Sequence, residues 1–325
     1  MAVRVGILST AHMHAYSYAE ALTSDESASF VGVWDDVPRR GKEFADKFSV
    51  ACFEDQAALL NAVDAVIITS ENRKHIEMAK AAAERGLAIL CEKPVATTEE
   101  EIAHLANVVE GATFMTAFPC RFSPSWKRLK ERVDSGEIGR IVAISATNHG
   151  TCPFGWFVDP EQSGGGSMID HTVHVADLLR DLIGDEPVSV YAQTGSGMYG
   201  QAWEDTAMLH VAFPGGIFAT IDSSWSRPAS YKTWGDVKMS VVGENGVIEL
   251  DMFSQGFDIY REKAGVAGYG SHLDAAMVAA FLDAVSGSKL PPVSLTDGIR
   301  AAQVAIAGYE SASRNEPVPF APFRG

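Results

Sequence analysis

The segment 164–177, Gly-Gly-Gly-Ser-Met-Ile-Asp-His-Thr-Val-His-Val-Ala-Asp, combines a glycine run with carboxylates and imidazoles. Apolar residues recur through it at helical spacing, which predicts a helix with one buried face. At about 100° per residue, Asp170, His174 and Asp177 project from one side of that helix, whereas His171 points about 100° away from Asp170. We therefore expect Asp170 and His174 to hydrogen-bond or to titrate as a pair.

A capped structural helix would also carry polar residues that satisfy local backbone groups. The glycines favour the functional interpretation, because a residue without Cβ lets the backbone adopt positive φ or pass close to a ligand. The elements that position this helix follow from the rest of the chain.

The 325-residue chain is long enough for two domains, and its composition is 46% hydrophobic and 21% charged. Its net charge of −16 argues against a nucleic-acid or anionic-membrane surface. The four cysteines are widely spaced without a C-x-x-C pattern, which fits a reducing compartment. The chain begins with a strand pattern rather than a signal peptide and lacks an apolar run of about 20 residues, so we expect a cytoplasmic protein.

Strand and helix patterns alternate through the first 120 residues, which predicts βαβ units and a parallel sheet. Continuous apolar runs such as 64–69 are typical of parallel strands that are buried on both faces. The predicted strands are 3–8, 30–34, 64–69, 87–91 and 113–116, and the predicted helices reach Leu22, begin at Pro38 and cover 74–85 and 98–109.

The first strand–turn–helix is where a dinucleotide would place its pyrophosphate, at a helix N-terminus. The turn is a partial match to G-x-G-x-x-G, since Gly6 is present but Ser9 and Ala11 occupy the other small-residue positions. Asp35 follows the second strand, where a carboxylate can accept hydrogen bonds from ribose hydroxyls. A second acid, Asp36, would repel a 2′-phosphate, which favours NAD over NADP.

Four charged or titratable residues near this turn leave its role open. Arg39 and Arg40 oppose the preference for NAD, because either could pair with a 2′-phosphate. His12 and His14 open the following helix, where we expect them to cap it or to form the edge of a cavity rather than to catalyse.

Lys93 stands in Cys91-Glu92-Lys93-Pro94, directly after a predicted parallel strand, where open α/β sheets bind ligands. With this tripeptide the sequence resembles the Gfo/Idh/MocA family of glucose–fructose oxidoreductases and inositol dehydrogenases, whose signature Glu92-Lys93-Pro94 matches. Four further stretches resemble the family's motifs in the same order: Asn72-Arg73-Lys74-His75, Arg121-Phe122-Ser123-Pro124, Ser135-Gly136-Glu137-Ile138-Gly139, and the helix from Gly164 to Asp177.

The resemblance implies an N-terminal Rossmann domain that binds NAD or NADP, and a C-terminal α+β domain with a large, mostly antiparallel open sheet. We place these domains at 1–120 and 121–325, and we expect the last helix to pack back on the first domain. Carried over by position, the catalytic residues are Lys93, Asp170 and His174. Cofactor contacts are expected at Gly6, Ser9, Thr10, Ala11, His12, Asp35, Ser70, Asn72, His75, Glu92 and Lys93, and substrate contacts at His14, Arg121, His149, Trp156 and His171.

The second half reads as a helix at 124–133, a long strand at 138–149, and hairpin strands at 188–193, 206–213, 216–225, 236–242, 246–250 and 257–260. Helices at 272–285 and 297–313 end the chain. The loop 150–163 carries aromatic residues that pack either over a sugar or on their own sheet. The open sheet is a candidate interface for a homodimer or homotetramer.

The implied reaction is hydride transfer between a nicotinamide, NAD rather than NADP, and a sugar, inositol or related polyol. Either His174 or Lys93 could take the hydroxyl proton, and Lys93 would stabilise the developing alkoxide. Alternatives are an NAD-dependent glycoside hydrolase, which would use the same residues, and a non-catalytic sensor. A metal site is disfavoured; its ligands would be His171, His174, Asp177 and His149.

Overall fold

The computed structural model describes residues 2–231, 235–254, 256–260, 264–268 and 270–324. In 256–260 and 264–268 only the backbone is described. Its N-terminal half alternates strands and helices as the sequence predicts. These are β1 (Val3–Leu8), α1 (His14–Ser24), β2 (Ala28–Trp34), α2 (Pro38–Phe48), β3 (Ala51–Phe53), α3 (Gln56–Ala62), β4 (Ala65–Ile68), α4 (His75–Ala83), β5 (Ala88–Cys91), α5 (Glu99–Val108) and β6 (Phe114–Thr116).

The first sheet has six parallel strands in the order β3-β2-β1-β4-β5-β6, which is the Rossmann arrangement. All four residues of β4 are buried, as expected for a strand covered by helices on both faces. The loops after β1 and β5 leave the carboxyl edge of this sheet, and they carry His12, His14, Glu92 and Lys93. The sequence analysis omitted β3 and α3, which are short.

The C-terminal half contains the second sheet and the helices that cover it. Its elements are α6 (Pro124–Asp134), β7 (Ile141–Gly150), α7 (Pro160–Ser163), α8 (Ser167–Ile183), β8 (Ser189–Gly195), β9 (Thr206–Ala212), β10 (Phe218–Ser224), β11 (Gly235–Gly243), β12 (Gly246–Asp251), β13 (Gly256–Tyr260), β14 (Ala264–Gly268), α9 (Leu273–Val285), α10 (Leu295–Arg314) and β15 (Val318–Pro319).

The second sheet runs β12-β11-β7-β10-β9-β8-β15. Its described neighbours are antiparallel except β7 and β10, which are parallel. The predicted hairpin turns are confirmed: Gly243 pairs with Gly246 across the β11–β12 turn, and 214–216 joins antiparallel β9 and β10. Helices α8 and α10 cover one face of the sheet, so the mostly antiparallel open sheet is confirmed.

The two halves are joined by the last long helix and by loops around the cavity. Helix α10 contacts β6 and α5, and the Gln303 amide donates to Glu99 at 3.1 Å, so the expected packing of the last helix on the first domain is observed. Helices α1 and α9 also pack together. Within the described residues, no helix combines the length and apolarity that crossing a membrane requires.

Candidate active site

A cavity of about 850 Å³ lies where the β1–α1 loop, the β5 loop, α8 and the start of α9 meet. Lys93, Asp170 and His174 all line it, so the structure brings together the three residues that the sequence analysis proposed as catalytic. His12 and His14 also line it.

Lys93 and Asp170 form a buried ion pair at this cavity. The Lys93 Nζ donates to Asp170 Oδ1 at 2.6 Å and to the Asp170 carbonyl oxygen at 3.2 Å. The Trp225 indole Nε1 donates to the other carboxylate oxygen at 3.2 Å. Burial opposes the charged carboxylate, but the charges of Lys93 and His171 outweigh it and hold the pKa of Asp170 well below its ordinary value. Asp170 thus fixes the position of the lysine ammonium.

The imidazole beside Asp170 is that of His171, not His174. His171 Nε2 lies 3.2 Å from Asp170 Oδ2, and its Nδ1 donates to the Asn148 carbonyl oxygen at 2.8 Å. This differs from the helical-wheel expectation, because the angle between Cβ directions does not fix where two long side chains end. His171, which was predicted to contact substrate, links α8 to β7 instead of lining the cavity.

Two buried polar atoms at the cavity lack hydrogen-bond partners within the described part of the chain: His174 Nδ1 and Asn148 Oδ1. Burial, with the charges of Lys93 and His171, lowers the pKa of His174 well below its ordinary value. The ring is therefore neutral near pH 7. Because an unpaired buried polar group costs about 1–3 kcal/mol, both atoms favour a ligand that carries hydroxyl groups.

A second titratable cluster lies at the same cavity. His14 Nδ1 is 2.9 Å from Glu92 Oε1, His12 Nδ1 is 3.9 Å from the same oxygen, and Tyr18 donates its hydroxyl to it. Burial opposes ionisation of Glu92, but the charge of His14, its hydrogen bond to the carboxylate and the charge of Lys93 outweigh burial and lower the pKa of Glu92. Burial lowers the pKa of His12 to about 3, so this ring is neutral.

The three glycines before α8 serve close packing inside the protein. A Cβ on Gly165 would lie 2.0 Å from the Tyr309 hydroxyl, and one on Gly166 would lie 2.2 Å from the Glu204 carbonyl oxygen. Gly164 holds φ +81°, where glycine is favoured. The Glu204 carboxylate accepts from Gly166 N at 2.8 Å and so caps α8. These observations explain the glycine run without a ligand.

The turn after β1 contains one residue in the left-handed backbone conformation. Ser9 adopts φ +64°, the left-handed conformation that glycine supplies more readily. The Asp35 carboxylate accepts from Thr10 N at 2.7 Å, from the Thr10 hydroxyl at 2.8 Å and from Val37 N at 2.7 Å. Asp35 thus stands where predicted, at the end of β2, but its oxygens already bind protein donors.

Arg40 donates further hydrogen bonds to Asp35 and to two neighbouring carboxylates. Its Nε donates to Asp35 at 2.9 Å, and its Nη atoms reach Asp36 Oδ1 at 3.0 Å and Glu71 Oε1 at 3.4 Å. Lys74 also pairs with Asp36 and Glu71. Three carboxylates therefore meet two cations beside the turn. Asp36 is paired with Arg40 and Lys74. Its repulsion of a 2′-phosphate, which was the reason for favouring NAD from the sequence, is therefore weaker.

The segment 155–163 lies against the carboxyl edge of the first sheet. The Trp156 indole donates to the Ala11 carbonyl oxygen at 3.1 Å, and the Asn72 amide donates to the Ser163 carbonyl oxygen at 2.8 Å. Trp156 also packs against the cluster of Cys152, Phe157 and Trp225 in its own half, so this aromatic residue contacts both halves of the protein. Asn72 and the other predicted cofactor contacts of this edge are buried: Ser9, Thr10, Asp35, Ser70, His75, Glu92 and Lys93.

Two of the predicted substrate residues lie in other contacts. Arg121 binds Asp177 through Nε at 2.6 Å and Nη2 at 2.7 Å, and it does not line the cavity. His149 Nε2 lies 2.9 Å from Asp222 and its Nδ1 lies 3.0 Å from Asp236. Because Asp177 and His149 are held in separate ion pairs, His171, His174, Asp177 and His149 do not converge on one metal position.

The sequence analysis missed several residues at the site. Tyr18 lies one helical turn beyond His14, so helical spacing could have indicated it. Asn148 is one residue from the predicted His149, and the strand alternation sends the two side chains to opposite faces. Nothing in the sequence pointed to Trp225 or Glu204, because both act across long sequence separations.

The fold and this cavity define a two-domain oxidoreductase with a Rossmann half, and the comparisons with known proteins agree. The profile described as "Oxidoreductase family, NAD-binding Rossmann fold" matches residues 3–117. The profile described as "GFO/IDH/MocA C-terminal domain" matches residues 126–249. The chain belongs to the Gfo/Idh/MocA family, as the motifs around Lys93 predicted, and it is an enzyme of this oxidoreductase family.

Several relatives are dehydrogenases that act on inositol or sugars. The chain is 31% identical to inositol 2-dehydrogenase of Rhizobium meliloti (strain 1021) over 77% of this chain and 76% of that protein. It is 29% identical to D-xylose 1-dehydrogenase (NADP(+)) 2 of Haloferax volcanii, over 96% and 98% of the two chains. The structure of GenD2 from gentamicin A biosynthesis, in complex with NAD, has a similar fold, with a TM-score of 0.88, 20% identity and coverage of 98% and 96%.

Two residues at the carboxyl edge of the first sheet are suited to contact a dinucleotide. Ser9 supplies the left-handed turn at the end of β1, and Lys93 stands at the end of β5 beside the cavity. The segment that carries Trp156 contacts the turn after β1, because its indole donates to the Ala11 carbonyl oxygen.

Proposed function

We propose that this protein catalyses NAD(P)-dependent hydride transfer between a nicotinamide and a hydroxyl of a sugar, inositol or related polyol. The observation that carries the proposal is the arrangement at the cavity, where the Lys93–Asp170 ion pair and the neutral ring of His174 line one space. The bound nicotinamide would supply the hydride acceptor. The relatives that act on inositol and xylose support this substrate class.

His174 acts as the base in this proposal. Its low pKa keeps the ring neutral near pH 7, and its buried Nδ1 has no partner among the described residues. A neutral imidazole accepts the hydroxyl proton while the hydride leaves the carbon, a contribution worth about 10²–10⁴ in rate. Lys93 already donates to Asp170, so its ammonium serves to stabilise the developing alkoxide.

Asp170 and Asn148 position the reacting groups. Asp170 holds the Lys93 ammonium through Oδ1 and is itself held by Trp225. Asn148 Oδ1, buried and unpartnered within the described residues, can accept a hydrogen bond from a second hydroxyl of the substrate. A polyol has more than one hydroxyl and can therefore donate or accept a hydrogen bond at each of these two atoms, whereas a simple alcohol has one hydroxyl.

For the cofactor we propose NAD ahead of NADP. Asp35, Asp36 and Glu71 outnumber Arg40 and Lys74 beside the turn, so a 2′-phosphate meets net negative charge. The test is a screen of sugars, inositols and their acids with each cofactor, followed by nicotinamide absorbance. Reduction of NAD⁺ by at least one polyol is expected; failure of the protein to bind either cofactor in a fluorescence titration would overturn the proposal.

We also propose that the protein forms a homodimer or homotetramer through the uncovered face of the second sheet. Exposed apolar side chains lie on adjacent strands there, among them Met208, Phe218, Val242 and Val247. An apolar sheet face of this kind requires cover. Analytical ultracentrifugation should show an oligomer that Val247→Glu dissociates, and a monomeric parent protein would contradict this.

A further inference from the structure

The cluster of His12, His14 and Glu92 has the composition and spacing of a metal-binding site. One candidate ligand atom from each residue lies within 4.8 Å of those of the other two. Two imidazoles and one carboxylate are a ligand set that zinc uses in catalytic sites, where a further position stays open for water or substrate. The residues come from two loops at one edge of the first sheet, the β1–α1 loop and the end of β5.

The distances within the cluster agree with a metal ion of zinc's size. Zinc–nitrogen and zinc–oxygen bonds of about 2.0–2.2 Å place tetrahedral ligand atoms about 3.3 Å apart. The Glu92 oxygen lies 2.9 Å from His14 Nδ1 and 3.9 Å from His12 Nδ1, which are values on either side of that separation. His12 Nδ1 also accepts a hydrogen bond from the His14 backbone N–H at 3.2 Å. This ring must therefore release that bond and turn towards Glu92 before three ligand atoms surround one ion.

The surroundings support the ligands and leave access to them. Glu92 is fully buried, and its second oxygen accepts from Lys93 N at 3.1 Å while Tyr18 binds the first. Hydrogen bonds of this kind orient metal ligands in known sites. His12 and His14 line the cavity, so an ion there would have its open position towards the substrate space.

We propose that His12, His14 and Glu92 bind one divalent transition-metal ion, of which zinc best suits the ligands, at the edge of the substrate cavity. The ion would polarise a hydroxyl or carbonyl oxygen of the substrate as a Lewis acid, beside the Lys93 ammonium. This site differs from the metal site weighed in the sequence analysis, whose residues do not converge. It does not depend on the proposed dehydrogenase activity, because metal binding is measured without cofactor or substrate.

The test measures metal binding by metal-free protein. Zinc affinity is determined by competition with a chromogenic chelator, and cobalt is added as a spectroscopic probe. We expect one equivalent of zinc per chain. With cobalt we expect visible absorption bands that are typical of a four- or five-coordinate ion. Binding below about a tenth of an equivalent, or cobalt bands of a purely aqueous six-coordinate ion, would overturn the proposal.

Variants locate the site. His14→Ala, at a partly exposed position, should weaken zinc binding by about 100-fold or more, and Glu92→Gln should do the same if it folds. Tyr18→Phe removes only the hydroxyl that orients Glu92, so a loss of about tenfold is expected. The matched control is His104→Ala, a surface histidine outside the cavity. Equal zinc affinity in His14→Ala and His104→Ala would show that the ion binds elsewhere and refute the assignment.

The experiment separates this proposal from the dehydrogenase proposal. A fluorescence titration with NADH is made on the same metal-free and zinc-loaded samples. Zinc binding that His14→Ala abolishes supports the metal site whether or not NADH binds. Conversely, NADH binding and polyol oxidation at full rate by metal-free protein that takes up no zinc support the dehydrogenase and refute the metal site.

Discussion

The proposed substrate cavity and the proposed dinucleotide groove, which follows the carboxyl edge of the first sheet between Ser9 and Lys93, both adjoin the loop after β5, but their polar groups differ in hydrogen bonding. At the cavity, His174 Nδ1 and Asn148 Oδ1 are buried without partners among the described residues. In the groove, the polar atoms of Asp35 and Asn72 already bind protein groups. A hydroxyl-bearing ligand therefore gains hydrogen bonds at once in the cavity, whereas a dinucleotide must first displace protein contacts.

We infer from this difference that the cavity is preorganised for its ligand and that the proposed groove opens when a dinucleotide binds. Ligand binding can shift the segment 155–163 only by as much as the ligand prefers the open arrangement. The apparent cofactor affinity is then reduced by the fraction of closed protein.

The largest expected effect is on the preorganised side. His174→Ala should lower kcat by about 10²–10⁴, because it removes the base. In the parent protein kcat/KM should stay level down to pH values well below 6.5, since burial and the charges of Lys93 and His171 lower the pKa of His174 and keep it neutral. Steady-state rates across pH measure both effects. A variant with the parent's kcat would remove His174 from the mechanism.

The next largest effect is on cofactor affinity and comes from the charge of Arg40 in the proposed groove. Arg40→Ala leaves Asp35, Asp36 and Glu71 opposed only by Lys74, so binding of NADP should weaken by about tenfold, and more than that of NAD. Fluorescence titrations with NADH and NADPH measure the ratio. Lys42→Ala, an exposed lysine on the same helix that pairs with Asp46, is the control. An unchanged ratio would show that Arg40 does not face the cofactor.

Closure of the groove is tested at Trp156. Trp156→Phe keeps an aromatic ring beside His12 and Phe157 but loses the hydrogen bond to the Ala11 carbonyl oxygen. A net value of about 0.5–1.5 kcal/mol for that bond predicts NAD binding about 2- to 10-fold tighter. Weaker binding would mean that the indole contacts the cofactor and that the segment does not close the groove.

The smallest effect lies away from both regions, at His149. Burial opposes its charged form, but hydrogen bonds to Asp222 and Asp236 outweigh it and raise the pKa of His149 to about 9. Since the folded value exceeds the unfolded one of about 6.5, this stabilisation is complete below pH 6.5 and is lost as the pH rises towards 9. Denaturant unfolding between pH 6 and 9.5 should show a shallower decline for His149→Gln; parallel curves would contradict it.

Much of the fold could be predicted from the sequence because its signals are local. Buried parallel strands such as β4 are continuous apolar runs, and Gly243 and Gly246 mark a hairpin turn. The short elements β3 and α3 were missed because three to seven residues carry too little periodicity. The parallel pairing of β7 with β10 was also missed, since pairing partners are chosen by tertiary packing.

The site shows the same division. The type and order of residues determined that Lys93, Asp170 and His174 meet at one cavity, because motif spacing and helix periodicity fix the edge or face on which each lies. The tertiary structure decided their partners: His171 beside Asp170, and His12 and His14 around Glu92. Those contacts depend on rotamers and on loops separated by up to 80 residues, which local sequence patterns do not specify.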